Sequence, residues 1–297
     1  MAELIDKKIR QITIIVEILK LFGWTLTIGE EDNMEADSGY VTEIHELVRE
    51  RYAGIVKKGG GCCAPGSCGE AKDSESLKLG YTREEAEAVP EGADLGLGCG
   101  TPLFYAGIRE GMTVLDLGSG AGFDAFLAAR KVGKGGHVIG VDMTPEMVAK
   151  ARENARKASM DNVEFRLGEI ENLPVADDLV DVVISNCVLN LSPDKPRVFA
   201  DVFRVLKAGG RIAISDVVAR FELPEDIRHN PELYTGCMAG AETVERLEMI
   251  LRTLGFKDVR ITLKEESRSF ISTWAPGTDI SECVVSAMIE GRKPEAG

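Results

Sequence analysis

The chain has 297 residues, 44% of them hydrophobic, enough to bury a sizeable core and suited to one large domain with an appendage or to two smaller ones. Lys plus Arg number 35 against 49 Asp plus Glu, and the net charge of −14 argues against nucleic acid and anionic membrane as partners. Small or uncharged ligands are favoured. Ile12 to Phe22 is the longest apolar stretch, but it contains Glu17 and Lys20 and is shorter than the roughly 20 residues that span a bilayer. The following GWTLTIGEEDN is not a small-residue cleavage site, so no anchor or signal peptide is read and a cytoplasmic location is expected. Residues 1–40 form an extension of no assigned role that includes the acidic linker GEEDN. Residues 41–110 form a helical, Cys/Gly-rich segment. It opens with EIHELVRERYAGIV, where Ile44, Leu47, Val48 and Tyr52 share a helix face. It continues into KKGGGCCAPGSCGEAKDSES, a loop with Cys62, Cys63 and Cys68.

From Thr113 apolar runs alternate with helical stretches, the mark of a parallel sheet wound with crossovers. TVLDL, HVIGVD (137–142), VEFRL (163–167), VDVVISN (180–186) and GRIAISDVV (210–218) supply five strands. Between the first two, Phe123, Phe126, Leu127 and Val132 mark a helix face. Thr144 is the expected N-cap of the helix opened by Pro145. A helix is expected from Lys195 to Lys207, closed by the glycines of AGG (208–210). After Asp216 comes a long polar insertion bearing Cys237, then a helix from Thr243 to Leu254 and a strand from Phe256 to Leu263. Residues 111–222 are read as the ligand-binding core and 223–297 as the segment that completes the sheet.

The turn after the first strand reads Asp116-Leu117-Gly118-Ser119-Gly120-Ala121-Gly122. Glycines let bare backbone approach a ligand where the sheet crevice opens. An acid two residues before the first glycine would repel a pyrophosphate and suits an ammonium. Asp142, ending the second strand, stands where a carboxylate grips both ribose hydroxyls, with Met143 beside it. Gly168, Glu169 and Ile170, ending the third, frame an adenine edge. Asn186 ends the fourth. Each acid alone has a bland reading as a solvated strand end. The combination resembles the S-adenosylmethionine-dependent methyltransferase fold.

Seven cysteines, an odd number without an export signal, indicate reduced thiols. No spacing gives a paired CxxC zinc site, and Cys283 in CVVSAMI reads as core. Oxygen and nitrogen acceptors usually need a base, yet His45, His137 and His229 are expected to stand beside none of the crevice motifs. Cysteines stand there instead: Cys99 before the first strand, Cys187 after the fourth and Cys237 after the fifth. Trivalent arsenic held by thiolates keeps an unprotonated lone pair and would need no base.

From about Ile44 to Lys293, phrases such as ADLGLGCG, VLDLGSGAGFDAFLAARKVG, SNCVLNLSPDK and TGCMAGA resemble the arsenite methyltransferase family. The resemblance implies a doubly wound, mostly parallel, seven-stranded α/β Rossmann-like sheet with N- and C-terminal lid segments. It implies S-adenosyl-L-methionine as cofactor and trivalent arsenic as substrate, delivered as a glutathione or other thiol adduct. Cys99, Cys187 and Cys237 would bind the arsenic. A further N-terminal cysteine would join the thiol relay, forming a disulfide that thioredoxin or glutathione systems reduce. Cys62, Cys63 and Cys68 all stand in that region; spacing does not choose among them, and Cys63 is assigned the role. Two alternatives are weighed: a methyltransferase on a small organic acceptor such as a quinone ring, and a metalloid-binding protein without turnover.

Overall fold

The structure, a computed structural model, describes residues 31–57, 75–274, 278 and 280–296. The chain divides into two compact units, Met1–Glu43 and Ile44–Gly297. Helix α1 (Glu31–Lys57) begins inside the acidic stretch read as a linker, because no proline interrupts helix formation between Glu31 and Ile44. In the second unit, α2 (Glu75–Lys78), α3 (Arg83–Ala88) and α4 (Pro102–Tyr105) lead to the sheet. There follow β1 (Thr113–Leu117), α5 (Phe123–Val132), β2 (His137–Asp142), α6 (Pro145–Lys157), β3 (Val163–Leu167) and β4 (Val180–Asn186). The chain continues through α7 (Lys195–Val205), β5 (Leu206–Ala219), α8 (Glu225–Arg228), α9 (Pro231–Thr235), α10 (Val244–Thr253), β6 (Lys257–Lys264), α11 (Arg268–Ile271), α12 (Ile280–Cys283) and β7 (Val284–Arg292).

The seven strands lie in the order β3-β2-β1-β4-β5-β7-β6, the first five parallel and β7 antiparallel to both neighbours. Strands β1, β2 and β4 are buried along most of their length because helices cover both faces. Leu115, Leu117, Ile139 and Val183 pack with Phe199 of α7 and Leu251 of α10 on one side. Val114, Val138, Val182 and Ile184 pack with Phe126 of α5 and Val148 of α6 on the other. A third cluster joins Ile44 and Val48 of α1 to Leu233, Met238 and Ile271, and it includes Cys99 and Cys237.

Three details differ from the sequence reading. Helix α7 stops at Val205, and Ala208 to Gly210 lie inside β5, where Gly209 (φ 75°) serves the strand and not a helix cap. Thr144 makes no side-chain cap; its amide donates to Asp142 Oδ1 instead. Cys283 ends a short helix, half-buried, and the apolar run after it is the seventh strand.

Register places the functional tips side by side. Leu117 pairs with Ser185 across β1 and β4, and Asn186 pairs with Ser215 across β4 and β5, so Gly118, Cys187 and Asp216 emerge at one edge. The strand order reverses at β1 and β4, which is where a parallel sheet opens a crevice. Gly118 (φ 63°) makes the turn, and a Cβ there would overlap the Val188 side chain. Gly118→Ala should therefore lower unfolding free energy by about 1–3 kcal/mol, measured by urea denaturation; an unchanged midpoint would contradict the packing described.

Candidate active site

A cavity of about 740 Å³ opens at this edge, its wall including Gly118, Gly120, Asp142, Ile170, Cys187 and Cys237. One end is acidic. Asp116 is 2% exposed, and among the described residues its Oδ2 finds no hydrogen-bond partner, nor does the Ser119 hydroxyl. Burial, then the charges of Asp124 and Asp142, push the Asp116 carboxyl well above the usual carboxylate range. Asp142 accepts from the Gly120 amide at 2.9 Å and the Thr144 amide at 2.8 Å, which fixes its carboxylate at the mouth of the glycine turn. Met143 and Ile170 line the wall. Glu169 does not: it faces Arg49 at 2.5 Å and His45 at 3.4 Å. Gly122 (φ 100°) also stays outside the wall and caps α5. The amide of Asn186 is engaged within the protein, from Cys99 N–H at 2.9 Å to Gly100 O at 2.8 Å.

The other end gathers thiols from three distant segments. Sulfur atoms of Cys99 and Cys187 and a carboxylate oxygen of Asp216 all lie within 4.8 Å of one another. Cys237 Sγ donates to the Cys187 carbonyl at 2.9 Å, and Tyr52 Oη lies 3.7 Å from the same sulfur. None of the three cysteines is in a disulfide. Hydrogen bonding to Cys237 and Cys99, with burial added, raises the Cys187 thiol well above its ordinary value, and burial raises Cys99. Cys187 and Cys237 have φ 61° and 62°, the left-handed region that side chains other than glycine rarely adopt. Cys62, Cys63 and Cys68 lie outside the described residues.

What holds these two cysteines in place is Asp216, which the sequence reading passed over. Its Oδ2 accepts from the amides of Val188 and Leu189, and its Oδ1 accepts from the Val217 amide and Asn190 Nδ2. Asn190 Nδ2 reaches on to the Cys237 carbonyl at 3.0 Å. Burial pushes Asp216 up to about 6 in spite of these donors. The only sequence signal for Asp216 was an acid beside the apolar residues of a strand, GRIAISDVV.

A methyltransferase-domain family model matches residues 108–255. An arsenite methyltransferase from Halobacterium salinarum is 56% identical over 276 residues, covering 90% of this chain and 70% of that protein. The chain belongs to the arsenite methyltransferase family. The Mus musculus arsenite methyltransferase is 37% identical, over 74% of this chain; the chain spans 59% of its length. An arsenic(III) S-adenosylmethionine methyltransferase from Chlamydomonas reinhardtii, known by crystal structure, is similar with a TM-score of 0.58 at 34% identity, covering 76% of this chain and 75% of that one.

In this member of the family His45 corrects the expectation that no histidine stands near the crevice. It lines the cavity, brought there by α1, a placement that sequence distance hid. It is no free base, however. Its ring lies 3.3 Å from Glu171, which also accepts from the Ser192 hydroxyl. The hydrogen bond to Glu171 leads the groups that raise the His45 pKa from its ordinary value of 6.5. Burial pushes Glu171 up, but the bonds from His45 and Ser192 outweigh it and hold it below 4.5.

A raised histidine stabilises the fold fully below its unfolded value, and that part is lost as pH rises through the folded value. A depressed glutamate stabilises above its unfolded value and loses that part in acid. The pair is therefore at full strength between 4.5 and 6.5. Thermal melts should show stability declining above pH 6.5 in the wild type and less so in His45→Gln. Parallel profiles for the two proteins would remove this role.

Proposed function

We propose that this chain transfers methyl groups from S-adenosylmethionine to trivalent arsenic bound by Cys99, Cys187 and Cys237. The observation that carries the reading is the convergence of these three thiols beside the glycine turn. Arsenous acid is uncharged near neutral pH, so the acidic surface does not repel it. Each thiol that binds gives its proton to a departing hydroxide as water, or to a departing thiolate when arsenite arrives as a glutathione or other thiol adduct.

The residues present fit the cofactor. An unpartnered, buried carboxylate oxygen on Asp116 and the unpartnered Ser119 hydroxyl suit an ammonium, and a turn at Gly118 with no room for a Cβ suits close backbone approach. When bound, S-adenosylmethionine supplies a methyl group on a positively charged sulfur. Asp116 would hold its ammonium, Gly118 and Gly120 would flank its chain, and Asp142 would accept from the ribose hydroxyls. Met143 and Ile170 would wall the adenine, with Glu169 at the rim and Gly122 and Asn186 supporting the turn from behind. The thiols aim the arsenic lone pair into the same cavity, so no side chain need remove a proton from the acceptor. His45, already bound to Glu171, is not asked to. Cys63 would complete a thiol relay with one of the three site cysteines, its disulfide reduced by a thioredoxin or glutathione system. A reducing compartment, the cytoplasm, suits that chemistry.

Cys187→Ser should retain cofactor binding by calorimetry while methylarsenicals disappear from arsenic speciation after incubation with arsenite, S-adenosylmethionine and glutathione. Full turnover in that variant would sink the thiolate reading. Asp142→Ala should weaken cofactor binding by about 1.5–3 kcal/mol, the range for hydrogen bonds to a charged group. Unchanged affinity would move the ribose site elsewhere.

A further inference from the structure

Asn186 ends β4 directly before Cys187, and its amide joins the two ends of the cavity. On the thiol side, Oδ1 accepts from Cys99 N–H at 2.9 Å and Nδ2 donates to the Gly100 carbonyl at 2.8 Å. On the acidic side, Nδ2 lies 2.9 Å from Tyr81 Oη and 3.2 Å from Asp124 Oδ2. Tyr81 in turn donates to Asp124 Oδ1 at 2.6 Å. Asp124 lies in the first turn of α5, immediately behind the glycine turn, and is nearly as buried as Asp116.

The Cys99 loop depends on these contacts. Gly96 and Gly98 have φ 67° and 134°, so its backbone is conformationally permissive. Gly98 is packed against the Asn186 amide so closely that a Cβ would stand 2.9 Å from Nδ2. Apart from Asn186, the Cys99 peptide is held by the Ser286 hydroxyl, which donates to its carbonyl at 2.8 Å. Asp116 and Asp124 both line the cavity, and among the described residues no donor meets Asp116 Oδ2. A cation arriving there would favour the ionised form of both carboxyls and hold a charged Asp124 where Tyr81 and Asn186 meet it. Hydrogen bonds to a charged acceptor are the stronger kind, so the Asn186 amide is then fixed in the orientation that presents Oδ1 to Cys99.

We propose that Tyr81 and Asn186 are positioning residues that couple the two sites: a ligand ammonium beside Asp116 and Asp124 raises the affinity of Cys99, Cys187 and Cys237 for trivalent arsenic. The inference rests on the function proposed above and assigns the coupling to the amino-acid tail of the cofactor, not to its nucleoside. Linkage makes the effect reciprocal, so bound arsenic tightens the cofactor by the same factor.

The test is equilibrium dialysis of arsenite against the full chain, alone, with saturating S-adenosylhomocysteine, and with saturating 5′-methylthioadenosine. The second nucleoside lacks the ammonium-bearing tail. Arsenic affinity should rise about fivefold or more with S-adenosylhomocysteine, the lower end of ordinary coupling, and stay unchanged with 5′-methylthioadenosine. In Tyr81→Phe, which keeps the ring and removes the hydroxyl, the ratio of affinities with and without S-adenosylhomocysteine should fall toward one. Asn186→Ala should do the same. Equal enhancement by both nucleosides, or an undiminished ratio in Tyr81→Phe, would overturn the coupling. A triple serine variant at the three cysteines that binds arsenite as well as the wild type would overturn the arsenic site itself, a separate outcome.

Discussion

The parallel register of β1, β4 and β5 determines where every functional group stands. Because Leu117 faces Ser185 and Asn186 faces Ser215, the glycine turn, Cys187 and Asp216 leave the sheet at one level. A slip in that pairing would carry Cys187 away from both the turn and the carboxylate that orders its loop. The two large apolar clusters on the faces of the sheet hold the register. The third cluster then brings Cys99 and Cys237 over the strand ends, so the thiol site is built where the sheet meets a cap formed by α1 from Ile44 on, Leu233, Met238 and Ile271.

Charge divides the cavity into two chemistries. At one end buried carboxylates crowd together, and burial raises Asp124 to about 6 and Asp116 well above its ordinary value. Such a floor waits for a cation. At the other end, thiols neighbour a carboxylate whose hydrogen-bonding capacity is already taken by four protein donors, which leaves it an anchor and not a ligand. Lys195, buried nearby and donating to the Ser192 carbonyl at 3.1 Å, supplies the positive charge that offsets Asp216.

Local patterning made the sheet legible. Apolar runs between Thr113 and Val218 gave the five parallel strands within a few residues, and the glycine turn located the crevice. Cys187 and Cys237 were legible through the motifs around them, as was Cys99. The partners that hold them were not. Asp216 looked like one acid among many until β4–β5 pairing set it behind Cys187, and His45 and Tyr52 reach the cavity only because α1 packs against the cap. Ala208 to Gly210 misled for a related reason: a glycine pair suits a helix end, but Gly210 packs tightly on Leu206 and Lys207, inside the irregular start of β5. Long-range pairing decides such positions, and periodicity does not report it.

The left-handed backbone at Cys187 and Cys237 has an evolutionary consequence. Each residue is held in a conformation that disfavours L-amino acids by about 1–2 kcal/mol, a penalty that glycine escapes. Variants chosen for heat resistance alone would weigh that strain against the packing each side chain gains, since Cys237 sits in the third apolar cluster and Cys187 packs against it. Cysteine at both positions therefore carries a backbone cost that the sulfur chemistry proposed for the site would offset.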